Sequence, residues 1–446
     1  MRFLLDELVT ELQADLVTDP VTGASAAADR SVVEGLAADS RAVAPGQLFA
    51  ALRGARDGHD FVPDARSSGA SAALVERPVP GGPSLVVEDV DEALGRLARL
   101  ARGAMGPSAA ERVVGITGSV GKTTTKDLLA GVLGRRFVTA ASERSFNNEL
   151  GVPLTLANAP DDVEALVVEM GARGAGHIAR LCAMAEPTIG VVTAVEAVHT
   201  EVMGGLEAIA LAKGELIEAL PPAGRAVLNA DDDLVRSMSA RSAAPVLTFG
   251  SRGDVRAERI EVDDELRARF ELRSDWGSAE VHLAVRGGHN VVNALAAAAV
   301  GLSVGVPVDE VADALGVASH SPWRMELTVT ASGARLLNDA YNAGPASTAA
   351  ALGSLASLRA RRHVAVLGIM AELGEESAEE HLRIARLARD LGVEVVAVGT
   401  DLYGVPACNL EQLEQVLSGL ALGGGDAVLL KGSRVAGLER AVSLLG

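Results

Sequence analysis

The 446-residue chain is too long for one ordinary core; at roughly 150 residues per domain it implies two to four domains, and three are expected. A composition of 48% hydrophobic and 22% charged residues excludes disorder over most of the length. The formal net charge of −19 excludes broad binding to nucleic acid or an anionic membrane, so any phosphorylated ligand must be held by local groups.

The opening "MRFLLDELVTELQADL" carries acidic residues throughout and no continuous apolar core, so no secretory signal is expected. Gly106 and Pro107 in "ARGAMGPSAAER" break a helical run, which marks residues 1–107 as a small α/β module. From there, short apolar runs recur, each followed by a glycine turn and an alanine/leucine-rich helical pattern. They are "RVVGIT", "ALVVEMG", "IGVVTAV", "RAVLNA", "HVAVLG", "EVVAVG" and "AVLLKG". Continuous rather than alternating apolar strands belong to parallel sheets covered on both faces, so the fold class is α/β.

"VVGITGSVGKTTTK" supplies a strand, a glycine turn and a helix whose apolar stripe is Leu128, Leu129, Val132 and Leu133. It departs from G-x-x-x-x-G-K-[ST], because Ile116 stands where that pattern has its first glycine. The parts still suit a phosphate cradle: backbone amides from Gly118, Ser119, Val120, Gly121 and Thr124, Lys122 reaching the terminal phosphates, and the Thr123 hydroxyl as a magnesium ligand. The plain alternative is a glycine turn with a surface lysine.

Downstream, Glu169 ends one apolar strand and His199 follows another. Ligands collect at the carboxyl ends of strands in open α/β sheets, so this oxygen and this imidazole are candidate magnesium ligands, or else solvated side chains. Lys213 lies fourteen residues after His199, roughly 21 Å along a continuous helix at ~1.5 Å per residue, but Gly204 and Gly205 break that segment. By itself Lys213 reads as a solvated helix lysine. Asn290 to Val308 is uncharged, yet its asparagines, glycines and proline suit a buried helix better than a membrane span. Cys182 and Cys408, far apart and in apolar surroundings, read as buried thiols in a reducing compartment. A second seam at "VASHSPWRMEL" divides a nucleotide domain, 108–320, from a further open-sheet domain, 321–446.

"TGSVGKTTTK" resembles the variant T-G-x-x-G-K-T loop of the Mur ligases, the ATP-dependent amide-forming enzymes of peptidoglycan precursor synthesis. The likeness runs along nearly the whole chain, through "ADSRAVAPGQLFAALRGARDGHDFVPDA", "SFNNELGVPLTL", "VVEMGARGAGHIARL", "GGHNVVNALAAAAVG", "LLNDAYNAGPAS", "AVLGIMAELGE" and "VLLKGSRVAGLE". It is nearest to the branch that adds D-alanyl-D-alanine to UDP-MurNAc-tripeptide through an acyl phosphate.

The resemblance implies a three-domain architecture: a UDP-substrate-binding module, a central P-loop parallel-sheet domain, and a C-terminal Rossmann-like domain for the dipeptide. It also implies ATP, one magnesium on Thr123 and Glu169, a second on His199, and a carbamylated lysine at Lys213 that supports magnesium. Asn290 resembles the adenine reader, its alternative being a helix N-cap. Arg324 and Asp339 resemble phosphate and ribose contacts brought in by the third domain. Ser40 and Arg41 resemble contacts to the uridine nucleotide, Asn147 and Asn148 contacts to the muramoyl peptide, and Tyr341 and Asn342 contacts to the dipeptide. A cytoplasmic monomer with no stable membrane insertion is expected.

The chain departs from the family pattern at "TAVEAVH" before His199, at Ile369 where aspartate is common, and at Gly344 where asparagine is usual. The rivals are a diamino-acid-adding Mur ligase, whose D-N-P-R type motif is missing here, and a folylpolyglutamate synthase, which lacks the first-module signature. A P-loop switch protein is the rival without ligase chemistry.

Overall fold

The computed structural model describes residues 1–18, 31–143, 145–196, 204–319 and 321–445. His199 lies outside them.

The cleft is organised by a six-stranded, all-parallel sheet in the order Val246–Phe249, Arg225–Asn229, Ile189–Val192, Val113–Thr117, Ala165–Glu169, Thr139–Ala141. The chain starts in the middle, winds out one way through Thr139–Ala141 and Ala165–Glu169, and then goes the other way through Ile189–Val192. That reversal leaves a crevice at the carboxyl end of Val113–Thr117. Registry sets Glu169 opposite Ile116 and Val192 opposite Thr117, so the residues ending three neighbouring strands face one place. Helix Lys122–Leu133 lies against the sheet with Leu128, Leu129, Val132 and Leu133 fully buried, each worth about 1.5–3 kcal/mol of burial.

Before this sheet, a five-stranded sheet runs Asp15–Val17, Ser84–Val86, Ala72–Val75, Leu48–Ala50, Leu36–Ala37. Helix Val90–Ala104 joins the two regions. Its Leu94, Leu97, Ala98 and Ala101 share one core with Val113, Leu166, Leu181 and Cys182 of the central region. The break at Gly106 and Pro107 is therefore a break in the sequence pattern and not in the packing.

The last sheet runs Glu326–Val329, Arg335–Asn338, Asp426–Lys431, Arg362–Leu367, Val393–Val398, Ala407–Cys408, parallel except for its first pair. Ala365 and Leu367 point to one buried face, Val364 and Val366 to the other. This two-sided burial is why "VAVL" reads as an unbroken apolar run. All seven runs taken as strands form strands here.

Two expectations need correcting. Between central sheet and buried helix Asn290–Ser303, the α/β rhythm is interrupted by an antiparallel meander, Arg256–Val262, Arg267–Ser274 and Gly277–Arg286. It buries Ala268, Phe270, Leu272, Val281, Leu283 and Val285 on one face and wets the other, so its sequence alternates with charges. Cys182 is buried as expected, but Cys408 is only half-buried, because it sits on the short edge strand; both thiols are free. Among the described residues no helix is long and apolar enough to cross a membrane.

Candidate active site

The phosphate-loop geometry follows from two glycines. Gly118 has φ 151° and Gly121 φ 85°, both in the region that favours glycine. A Cβ on Gly118 would meet Thr193 Oγ1 at 1.9 Å, and one on Gly121 would meet Asn293 Oδ1 at 2.3 Å. The turn can therefore be closed only by glycine at both places. Ser119 N–H donates to Ala194 O at 2.8 Å, and the Thr193 hydroxyl donates to Val120 O at 2.6 Å, which ties the loop to the chain leaving Ile189–Val192.

Lys122 opens the helix and folds back over the loop, its Nζ donating to Gly118 O at 2.7 Å and to Ser119 O at 3.4 Å. Burial lowers the pKa of this amine; Glu169 opposes the shift and Arg324 adds to it. The Thr123 hydroxyl donates to Glu169 Oε2 at 2.8 Å, and Asn147 Nδ2 donates to Glu169 Oε1 at 2.9 Å. Thr123 and Glu169 are both buried. A hydroxyl and a carboxylate oriented by an amide form a hard-oxygen pair of the kind that fits magnesium.

Lys213 is carried on helix Leu206–Glu218, which begins just after Gly204 and Gly205 as the chain break requires. It is not a solvated helix lysine. Only 3% of it is exposed, and it makes no hydrogen bond or ion pair among the described residues. Burial, aided by the charge of Lys122, brings its pKa down to about 7.

Arg324 reaches across from the third region and donates to Thr123 Oγ1 at 3.0 Å while its guanidinium stacks on Tyr341, 4.1 Å from the ring centroid. Its Nε is buried without a partner among the described residues, leaving a donor free in the cleft. Asp339 accepts from Met325 N at 3.2 Å and from buried Lys431 Nζ, which also donates to Asn342 O at 2.9 Å. Asn290 is the first residue of its helix rather than the cap. Its amide donates to Arg286 O at 2.6 Å, and its carbonyl accepts from Asn293 at 2.7 Å. Asn148 Oδ1 accepts from Gly151 N at 2.9 Å at the start of helix Gly151–Ala157.

These groups surround one cavity of about 630 Å³, lined by Gly118 to Thr124, Asn147, Asn148, Glu169, Lys213, Asn290, Arg324, Asp339, Tyr341 and Asn342. Ser40 and Arg41 do not line it. Arg41 is exposed and forked onto Asp39, with Nε–Oδ1 2.9 Å and NH2–Oδ2 2.7 Å.

Sequence reasoning passed over several lining residues: Thr193, Asn229, Asn293, Lys431 and Glu196. Lys431 carried a usable signal, a charge ending the apolar strand "AVLLK". Glu196 lies in the departure before His199. Its backbone is held by Ser119, its Oε2 has no partner among the described residues, and burial plus nearby Asp232 push its pKa up to about 7.

Three family models match the chain: "Mur ligase family, catalytic domain" at residues 32–102, "Mur ligase middle domain" at 116–301, and "Mur ligase, glutamate ligase domain" at 323–434. The chain is 43% identical to the UDP-N-acetylmuramoyl-tripeptide–D-alanyl-D-alanine ligase of Mycobacterium tuberculosis, over 88% of this chain and 83% of that protein. It is 35% identical to the Escherichia coli ligase of the same name, over 99% and 97%. Among solved structures, MurF from Acinetobacter baumannii superposes with a TM-score of 0.88 at 30% identity, covering 100% of this chain and 99% of that one. MurF ligase from Thermotoga maritima in complex with ADP does so at 0.80 and 30%, covering 93% and 97%. With its loop, cleft and three matched regions in this order, the chain belongs to the Mur ligase family.

Proposed function

We infer that the protein is an ATP-dependent ligase that joins D-alanyl-D-alanine to UDP-N-acetylmuramoyl-tripeptide, releasing ADP and phosphate, as a peptide-adding step of peptidoglycan precursor synthesis. The observation that carries this reading is the contact of Arg324 with Thr123, beside Glu169 and buried Lys213. Two separate sheets bring cations and hard oxygens to one cavity.

In the reaction, the terminal carboxylate of the tripeptide attacks the γ-phosphorus of ATP. The bond to ADP breaks and an acyl phosphate forms. The dipeptide amine then adds to the carbonyl carbon, loses a proton, and phosphate leaves from the tetrahedral intermediate. Such chemistry needs positioned reactants and neutralised charge more than covalent help from the protein. Lys122 and the loop amides hold the β- and γ-phosphates, and Arg324 offers its free Nε–H to the phosphoryl oxygens. Thr123 and Glu169 would hold one magnesium ion and His199 a second, with a carbamylated Lys213 in support, and the bound metal would neutralise phosphate charge.

Asn290 reads adenine; its amide keeps a second hydrogen and its carbonyl a second lone pair beyond the bonds to Arg286 and Asn293. Asp339 likewise has lone pairs left for a ribose hydroxyl. Ser40 and Arg41 hold the uridine nucleotide, Asn147 and Asn148 the muramoyl peptide, and Tyr341 and Asn342 the dipeptide. We divide the chain at 107 and 320, and place it in the cytoplasm as a monomer, where its nucleotide-linked substrates are made.

Phosphate release is expected only when ATP, UDP-MurNAc-tripeptide and D-alanyl-D-alanine are all present. Release without the dipeptide at the full rate would oppose the reading.

A further inference from the structure

On the third-domain wall of the cavity, Ala371, Glu372 and Leu373 belong to a loop that follows strand Arg362–Leu367. Glu372 has φ 67°, a left-handed conformation that a non-glycine residue keeps only when its surroundings enforce it.

The residues before it are tied down one after another. Gly368 N–H donates to Lys431 O at 2.9 Å, and Gly368 O accepts from the Tyr403 hydroxyl at 2.8 Å. Ile369 O accepts from Ser433 N at 2.9 Å. Met370 N–H donates to His381 Nε2 at 2.9 Å, and Ala371 N–H donates to Ser433 Oγ at 2.9 Å. Ser433 Oγ in turn donates to Ala343 O at 3.0 Å, beside Tyr341 and Asn342.

His381 is the buried centre of this arrangement, fully enclosed on helix Ser377–Asp390. An amide can only donate, so Nε2 is unprotonated and Nδ1 carries the hydrogen, given to Ser377 O at 2.6 Å. The Tyr403 ring meets the imidazole edge to face, centroids 4.8 Å apart, and both rings support the same short loop. Burial also lowers the pKa of His381, in keeping with the neutral ring.

We propose that His381, backed by Tyr403, is a positioning residue for the incoming amine: it holds the 368–373 loop in the one shape that forms the dipeptide wall of the cleft. The inference rests on the ligase reading above, with the third domain binding the dipeptide. His381 touches no substrate; it acts through the backbone of Met370.

His381→Ala is expected to raise KM for D-alanyl-D-alanine about tenfold or more, with KM for ATP and for the tripeptide substrate changed by less than about threefold. His381→Gln carries both an acceptor for Met370 and a donor for Ser377, and should recover most of the loss. Tyr403→Phe removes one hydroxyl and should shift the dipeptide KM the same way by about threefold; it decides the matter if His381→Ala does not fold. A dipeptide KM equal to wild type in the folded variants, or all three KM values rising together, overturns the proposal. Should wild type prefer another amine, the substrate reading fails, while the same comparison run with that amine still decides the role of His381.

Discussion

Lys213→Ala is expected to lower kcat by about 10³-fold, and millimolar bicarbonate or a short carboxylate such as formate is expected to restore part of it. The reason is electrostatic. Lys122 and Lys213 are two amines in one cavity whose ligand is ATP, and no carboxylate pairs with Lys213 among the described residues. Its pKa of about 7 means that near pH 8 roughly nine-tenths of the amine is neutral, whereas an ordinary lysine with pKa ~10.4 would be almost wholly protonated. A neutral amine adds to CO₂, releasing a proton and leaving a carbamate. The side chain would then change from a largely neutral amine beside Lys122 to an anion that could support magnesium near Glu169.

The sign follows from the shift. Recovery of activity by enzyme stripped of CO₂ should be fast above pH 7 and should fail as the pH drops below it and the amine protonates. An unshifted lysine would instead recover only towards pH 10. Lys213→Arg, which keeps the charge but cannot form the carbamate, should stay inactive with formate present. Unchanged kcat in Lys213→Ala removes the carbamate reading.

Lys122→Ala should lower kcat/KM for ATP by about 10³-fold while leaving the thermal midpoint close to wild type, because its hydrogen bonds close a loop rather than a core. Its Nζ sits over Gly118 O and Ser119 O, where a compact ammonium fits and a wide, planar guanidinium does not. Lys122→Arg should therefore remain impaired by at least about tenfold. Steady-state kinetics over a range of ATP concentrations checks both, and a Lys122→Ala enzyme within threefold of wild type would show that the loop does not hold the reacting phosphates.

Much of this was legible in the sequence because the relevant physics is local. "VVGIT", "GSVG" and "KTTTK" place a strand, a strained turn and a helix start in order, and each requirement acts within a few residues. The parallel strands were legible because burial on both faces leaves no polar position in "ALVV" or "VAVL". The meander at 256–286 was not, since "RARFELRS" buries only alternate residues and its charges resemble a solvated segment. Lys213 shows the limit most clearly. "ALAKGEL" looks like any helix surface, and its enclosure arises from packing against strands far away in the chain. The reach of Arg324 to Thr123 spans two sheets, and only the resemblance to the Mur ligases pointed to it.

Acyl-phosphate formation is tested by incubating UDP-MurNAc-tripeptide that carries ¹⁸O in its terminal carboxylate with ATP and D-alanyl-D-alanine and reading both products by mass spectrometry. A pentapeptide precursor should form in step with ADP, and one ¹⁸O should pass from each carboxylate to the phosphate released. Phosphate free of label, or ADP formed without the new amide, would contradict the ligase reading.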